Sequence, residues 1–177
     1  MKTIWLFGPS GAGKTTVGNE LVEKLRARGR DVVMIDGDEL RRTVCFDLGF
    51  SYDDRFKQTT RAAYMAKAVT AGNAWAIVCL ITPYKEFRDV ATRLCGPELV
   101  YLQSNQEERV RRDPKGLYAK AIAGELEAKL TGYDGAFDVP DESECMTVTT
   151  EDYAAATVAD IILSRVIGES FTKGGGI

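Results

Sequence analysis

The 177-residue sequence contains no histidine. That absence excludes every Ser-His and Cys-His mechanism and leaves a carboxylate or a lysine as the natural proton acceptor in any catalysis. The four cysteines, Cys45, Cys79, Cys95 and Cys145, are widely separated and form no C-x-x-C pair, so they do not read as a zinc site. Free thiols in a reducing cytosol fit them, and the expected location is cytoplasmic. No apolar run approaches the roughly 20 residues needed to span a bilayer, and Met1-Lys2-Thr3 leads straight into a strand-like stretch rather than a signal peptide. Neither secretion nor membrane insertion is expected. Charge of one sign is also missing: 23 Lys+Arg against 26 Asp+Glu leave a formal −3, which does not mark a binder of nucleic-acid polymers. Any anionic ligand must be held by local charge.

With 45% apolar and 28% charged residues, the composition is that of one ordinary globular domain. Short apolar runs at Thr3 to Phe7 and Asp31 to Ile35 read as buried strands. Between them Val17, Leu21 and Leu25 recur at helical spacing over Thr15 to Arg28, before Gly29. The alternation continues with a helix over Asp53 to Ala71, a strand at Ala74 to Ile81, a helix at Lys85 to Leu94 and a strand at Leu99 to Leu102. A helix at Gln106 to Arg112, a strand at Met146 to Val148 and a final helix complete it, with Thr149 and Asp152 spaced as a capping box for that helix. Near-continuously apolar strands alternating with helices predict an α/β fold, a parallel sheet covered on both faces. Asp113 to Pro140 interrupts the pattern: it is polar and carries Gly116, Gly124, Gly132 and Gly135. It reads as a lid or as a solvated helical excursion. Ser170 to Ile177 reads as a frayed tail, so one domain over 1–168 is expected, with a flexible segment at 169–177.

Gly8-Pro9-Ser10-Gly11-Ala12-Gly13-Lys14-Thr15 satisfies G-x-x-x-x-G-K-[ST] between a predicted strand and a predicted helix. In such a loop the glycines let the backbone curl so that its N–H groups face phosphate oxygens, and the helix dipole adds to that field. Gly8, Ser10, Gly11, Ala12, Gly13, Lys14, Thr15 and Thr16 are the nucleotide-phosphate candidates, with Lys14 reaching the β- and γ-phosphates of ATP and the Thr15 hydroxyl ligating Mg2+. A guanine-reading N-K-x-D motif is absent, and the chain is too short for a motor. A small P-loop kinase is the leading expectation.

Asp36-Gly37-Asp38 closes the second predicted strand, at the edge where open α/β sheets meet ligands. Without histidine these carboxylates are the best general-base and magnesium candidates, Asp36 acting on the metal directly or through water. Asp38 also suits the cap of a short helix over Glu39 to Thr43. Arg41, Arg42, Arg55 and Arg61 follow, with Phe50 in Leu48-Gly49-Phe50-Ser51. Taken singly these arginines are unremarkable surface charges; together with an aromatic ring they suit an anionic substrate bearing a base.

From Ile4 to Val166 the chain resembles the adenylylsulfate kinases, which phosphorylate the 3′-hydroxyl of adenosine 5′-phosphosulfate with ATP. The likeness rests on the phosphate loop, Asp36-Gly37-Asp38 with Arg41, Asp47-Leu48-Gly49-Phe50-Ser51, Asp54-Arg55, Ile81-Thr82-Pro83-Tyr84, and Arg112-Asp113-Pro114-Lys115-Gly116-Leu117-Tyr118 with Lys120, Ala121 and Thr131-Gly132. It implies a three-layer P-loop fold with a five-stranded parallel sheet, a helical lid near 113–140 and a homodimer. It further implies Lys14, Asp36 and Asp38 as catalytic residues and Arg112 on the ATP side. Asp38, Arg41, Phe50, Arg55, Gln58, Ile81, Thr82, Lys115 and Leu130 would line the substrate site. Departures fall on the acceptor side. Gln58 stands for a family Asn, Thr60 for one of two arginines, Glu39 for an Asn, Thr82 for a Ser, Leu130 for a Phe, and Ala136-Phe137-Asp138 for Pro-Tyr-Glu. They leave room for another acceptor, such as a cytidine diphosphate derivative, since a pyrimidine needs different edge contacts. A nucleotide-binding regulator is a third reading, opposed by the intact Lys14, Thr15, Asp36 and Asp38.

Overall fold

The computed structural model describes residues 2–113, 116–126 and 129–168. Five parallel strands form one sheet in the order β2-β3-β1-β4-β5: β1 Thr3–Phe7, β2 Val32–Asp36, β3 Trp75–Cys79, β4 Glu98–Gln103 and β5 Met146–Thr149. The helices between them are α1 Lys14–Ala27, α2 Gly37–Arg42, α3 Tyr52–Ala71, α4 Lys85–Cys95, α5 Gln106–Arg112, α6 Leu117–Ile122 and α7 Ala155–Ile167. The α/β expectation and the parallel sheet are met, and among the described residues no helix is long and apolar enough to cross a membrane.

Alternation along β1 divides the core. Ile4 and Leu6 face α1 and α7 with Val17, Leu21, Leu25, Val158 and Ile162, while Trp5 and Phe7 face α3 and α4 with Ala62, Ala63, Ala66 and Ala91. The alanines of α3 let that long helix lie close to the sheet. Lys24 of α1 and Asp160 of α7 join across their shared face at 2.8 Å. Register then sets the site. Leu6 and Asp36 both pair with Cys79, and Phe7 pairs with Tyr101, so β1, β2 and β3 reach the carboxyl edge of the sheet together while β4 runs two residues further, to Gln103. β1 stands centrally, between a strand that follows it by two and one that follows it by three, and a crevice opens at such a reversal of strand order.

Three local expectations are corrected. Thr149 does not cap the last helix: it is the final residue of β5, paired with Gln103, and α7 starts at Ala155 behind Ala154 with no side-chain cap. The cap of α2 is Asp36, not Asp38, and Asp36 Oδ1 accepts the Asp38 N–H at 2.9 Å. β3 ends at Cys79 rather than Ile81, because the next residues leave the sheet to wall the crevice. The segment 169–177 lies outside the described residues.

Helix α1 can lie on β3 only because residue 18 has no side chain. A Cβ there would stand 2.5 Å from Cys79 Sγ and 3.3 Å from Met34 Cε. Gly18→Ala should lower the urea-unfolding free energy by about 1–3 kcal/mol through overpacking, less about 1 kcal/mol of gained helix propensity. In a Cys79→Ala background the same change should become neutral or stabilising, and equal effects in both backgrounds would refute the contact.

Candidate active site

The loop between β1 and α1 is bent at glycines for identifiable reasons. Gly8 has φ +147, and a Cβ on it would come within 2.7 Å of the Leu102 carbonyl oxygen; its N–H donates to Ile81 O at 3.3 Å. Gly13, in the left-handed region at φ 89, precedes α1, whose first turn holds no acidic residue or side-chain cap. The positive end of that helix therefore faces the crevice with no acidic residue of its own first turn against it. Lys14 Nζ donates to Gly8 O at 2.9 Å and to Pro9 O at 2.7 Å, which holds the ammonium across the loop. The Thr15 hydroxyl donates to Asp36 Oδ2 at 2.8 Å. Ala12 is fully buried in the core. Ser10, Gly11, Gly13, Lys14, Thr15 and Thr16 line the cleft, while Gly8 and Ala12 shape the loop from beneath.

At the other end stand Arg41, Phe50, Arg55 and Gln58. Arg41 Nη1 donates to the carbonyls of Leu48 and Gly49 at 3.2 and 2.6 Å, and Arg55 Nε to that of Phe50 at 3.0 Å. Ser51 caps α3 by accepting the Asp54 N–H. Phe50, 58% exposed, is thereby fixed, and its ring centre lies 4.5 Å from the Arg41 guanidinium carbon and 5.5 Å from that of Arg55. Burial lowers the pKa of both guanidinium groups, Arg55 being lowered further by the charge of Arg41. Both still carry their charge at neutral pH, partly desolvated, where an anion is held more strongly than in water. Gln58 is buried and turns both ends of its amide to the protein: Oε1 accepts from Arg41 Nη2 at 2.5 Å and Nε2 donates to Gly37 O at 2.8 Å. Arg61 does not reach the cleft; it pairs with Asp47 at 2.6 Å and with Val44 O.

Ile81, Thr82 and Pro83 form one wall. Thr82 is β-branched yet has φ 43, a strained conformation for such a residue. It is 2% exposed, and its hydroxyl accepts from the Trp5 indole at 2.9 Å. Over the cleft lie Leu117, Lys120, Leu126, Leu130 and Thr131. Arg112 also lines it, held by Glu108 at 2.7 Å and by Thr150 O at 2.9 Å; hydrogen bonds from Arg111 and then Arg112 keep the Glu108 carboxyl down at about 2. Lys115 lies outside the described residues. The cleft thus runs from phosphate loop to arginine pair as one space of about 1220 Å³, ample for two nucleotide-sized ligands.

Of two buried residues here, Arg109 escaped the sequence reading and Tyr118 entered it only as part of the Arg112 to Tyr118 motif, with no role of its own. The one signal for Arg109 is that α5, QEERVRR, has a single apolar residue, so a helix docked on the sheet edge must bury something polar as well.

Residues 1–148 match the family model described as adenylylsulphate kinase. The chain belongs to that family. A probable adenylyl-sulfate kinase of Pyrococcus abyssi is 49% identical over 143 residues, covering 80% of this chain and 82% of its own. One from Archaeoglobus fulgidus is 39% identical over 150 residues, covering 84% and 96%. Among solved structures, the Mycobacterium tuberculosis APS kinase CysC in complex with AMPPNP and APS is 31% identical with a TM-score of 0.88, covering 94% of this chain and 97% of that one. The resemblance drawn from the motifs is met, as are the five-stranded parallel P-loop fold and the assignment as a phosphotransferase with an alcohol acceptor.

In this adenylylsulphate kinase the Gln58 amide joins Arg41 to the Asp36-Gly37-Asp38 turn. Gln58→Leu leaves the Gly37 carbonyl and an Arg41 N–H without that partner and should cost about 1–3 kcal/mol in urea unfolding. Unfolding at the wild-type midpoint would show that the two bonds do not form in solution.

Proposed function

We propose that the protein transfers the γ-phosphoryl group of ATP to the 3′-hydroxyl of adenosine 5′-phosphosulfate, giving 3′-phosphoadenosine 5′-phosphosulfate. The observation that carries this reading is the single cleft with a phosphate loop at one end and an arginine-flanked aromatic ring at the other. The loop amides and Lys14 hold the ATP phosphates, and Arg112 borders the same nucleotide. Phe50 offers a face to the adenine of the acceptor, while Arg41 and Arg55 offer guanidinium forks to its phosphosulfate. Gln58 serves this grip indirectly, through Arg41.

The paired Thr15 hydroxyl and Asp36 carboxylate suit Mg2+, a hard cation that takes one or two protein oxygens and completes its shell with phosphate and water. Among the described residues no cluster of three or more His, Cys, Asp or Glu forms a protein cage for a metal, which fits that mode of binding. When bound, Mg2+ neutralises charge on the phosphate oxygens. Asp36 already accepts from Thr15 and from the Asp38 amide, so it is the residue aligned with the metal side. Asp38, two residues on and also lining the cleft, is assigned to orient and deprotonate the 3′-hydroxyl. The rest is positioning: two nucleotides held end to end bring the acceptor oxygen in line with the γ-phosphorus. The excursion at 113–140 is read as a lid that closes over both and excludes the water that would otherwise compete as acceptor. The homodimer, the cytoplasmic location and a lid contact from Lys115 belong to the same proposal.

Lys14→Ala should reduce transfer by about 100-fold or more, a typical loss for one charge-stabilising donor. Arg55→Ala should raise KM for adenosine 5′-phosphosulfate by about tenfold or more, while leaving KM for ATP within about twofold. Equal rises for both substrates in initial-rate kinetics would remove Arg55 from the acceptor site.

A further inference from the structure

We infer that Arg109 and Tyr118 form a clasp through which the 113–140 excursion holds the phosphate loop in shape, making both of them positioning residues for nucleotide binding. Arg109, on α5, is only 7% exposed. Its guanidinium donates in three directions: Nε to the Tyr118 hydroxyl at 3.0 Å, Nη2 to Gly132 O at 3.0 Å, and Nη1 to Ser104 O just beyond β4. One planar group therefore joins the sheet edge to α6 and to the far limb of the excursion. Tyr118, 1% exposed, passes the connection on, donating its hydroxyl hydrogen to the Ser10 carbonyl at 2.8 Å. Burial raises the Tyr118 pKa, so the phenol keeps that hydrogen across the neutral range.

The polarity of this chain is fixed. A guanidinium can only donate, so the phenol oxygen accepts from Arg109, and its single hydrogen goes to the loop. Because the peptide is planar and trans, pinning the Ser10 C=O toward Tyr118 points the Gly11 N–H the opposite way. Tyr118 does not line the cleft, whereas Ser10 and Gly11 do. The clasp thus sits behind the loop and turns an amide toward the phosphate side. Contact there is close: a Cβ at Gly11 would lie 3.3 Å from Arg109 Cβ and 3.4 Å from Tyr118 Cε2, and one at Gly132 would lie 2.8 Å from Pro9 Cβ. Pro9, Ser10 and Gly11 are therefore backed by α5, α6 and the Gly132 turn.

The inference rests on the proposed use of this loop for ATP, and its test is independent of the acceptor. Tyr118→Phe deletes one oxygen and keeps the buried ring. By calorimetry the variant should bind a non-hydrolysable ATP analogue with Mg2+ about tenfold more weakly than wild type, while its Kd for adenosine 5′-phosphosulfate moves by less than about twofold. Arg109→Gln should lose analogue affinity in the same direction and by at least as much. Unchanged analogue affinity in both variants, or an equal loss for both ligands, would overturn the clasp as a positioning device. Failure of the wild type to phosphorylate adenosine 5′-phosphosulfate while it still binds the analogue would count against the proposed acceptor and leave the clasp's own test standing.

Discussion

The backbone at Gly8 must pass between the Ile81 carbonyl of one neighbouring segment and the Leu102 carbonyl of another, and there is room there for a hydrogen atom alone. That crowding follows from placing β1 at the centre of a parallel sheet. β3 ends level with Leu6 while β4 runs on past Phe7 to Gln103, so the chain leaving β1 meets the Ile81 carbonyl beyond β3 on one side and the Leu102 carbonyl of β4 on the other. It must then curl at once, using left-handed backbone at Gly11 and Gly13, before α1 begins at Lys14 and leaves its first amides facing the crevice. Lys14 and Thr15 open that helix and are carried to the carboxyl edge. Strand register brings Asp36 to the same edge, and the Thr15–Asp36 hydrogen bond is the meeting of these two constraints.

Electrostatics in this protein are local. A chain with net charge −3 has no overall attraction for a nucleotide, yet Lys14, Arg41, Arg55 and Arg112 all border one cleft. Each is held by carbonyls, a carboxylate or the Gln58 amide. Fixing the cations in this way means that little reorganisation is needed when phosphate charge arrives, which is the condition under which charge stabilisation is most effective. Arg109 extends the pattern behind the loop, donating to carbonyls and a phenol rather than to the ligand.

Much of this was legible in the sequence where a periodic or steric rule acts. The strands are continuous apolar runs because both sheet faces are covered. Val17, Leu21 and Leu25 repeat because α1 buries one face, and the glycine spacing of the loop reflects where side chains cannot fit. Caps were less legible, because Asp36 and Asp38 carry the same side chain and only strand register decides which of them precedes the helix. Thr149 misled for a related reason: a threonine suits both a cap and a strand, and pairing with Gln103 won. Arg109 and Gln58 were harder still. A long polar side chain within a helix reads as solvated; the apolar poverty of α5 hints that something polar is buried there, but not that Arg109 meets Tyr118 and Gly132 or that Gln58 meets Arg41 and Gly37.

The departures at Gln58, Thr82 and Leu130 surround the acceptor end of the cleft, so the identity of the acceptor is the property to measure. Initial rates of ADP release from magnesium-ATP, with adenosine 5′-phosphosulfate set against a panel of cytidine and uridine diphosphate derivatives, address it most directly. Rapid release with adenosine 5′-phosphosulfate and near-background release with the pyrimidines is the predicted result. Equal or faster release with a pyrimidine nucleotide would rule out adenosine 5′-phosphosulfate as the preferred acceptor and mean that the catalytic end was kept while the acceptor pocket was rebuilt.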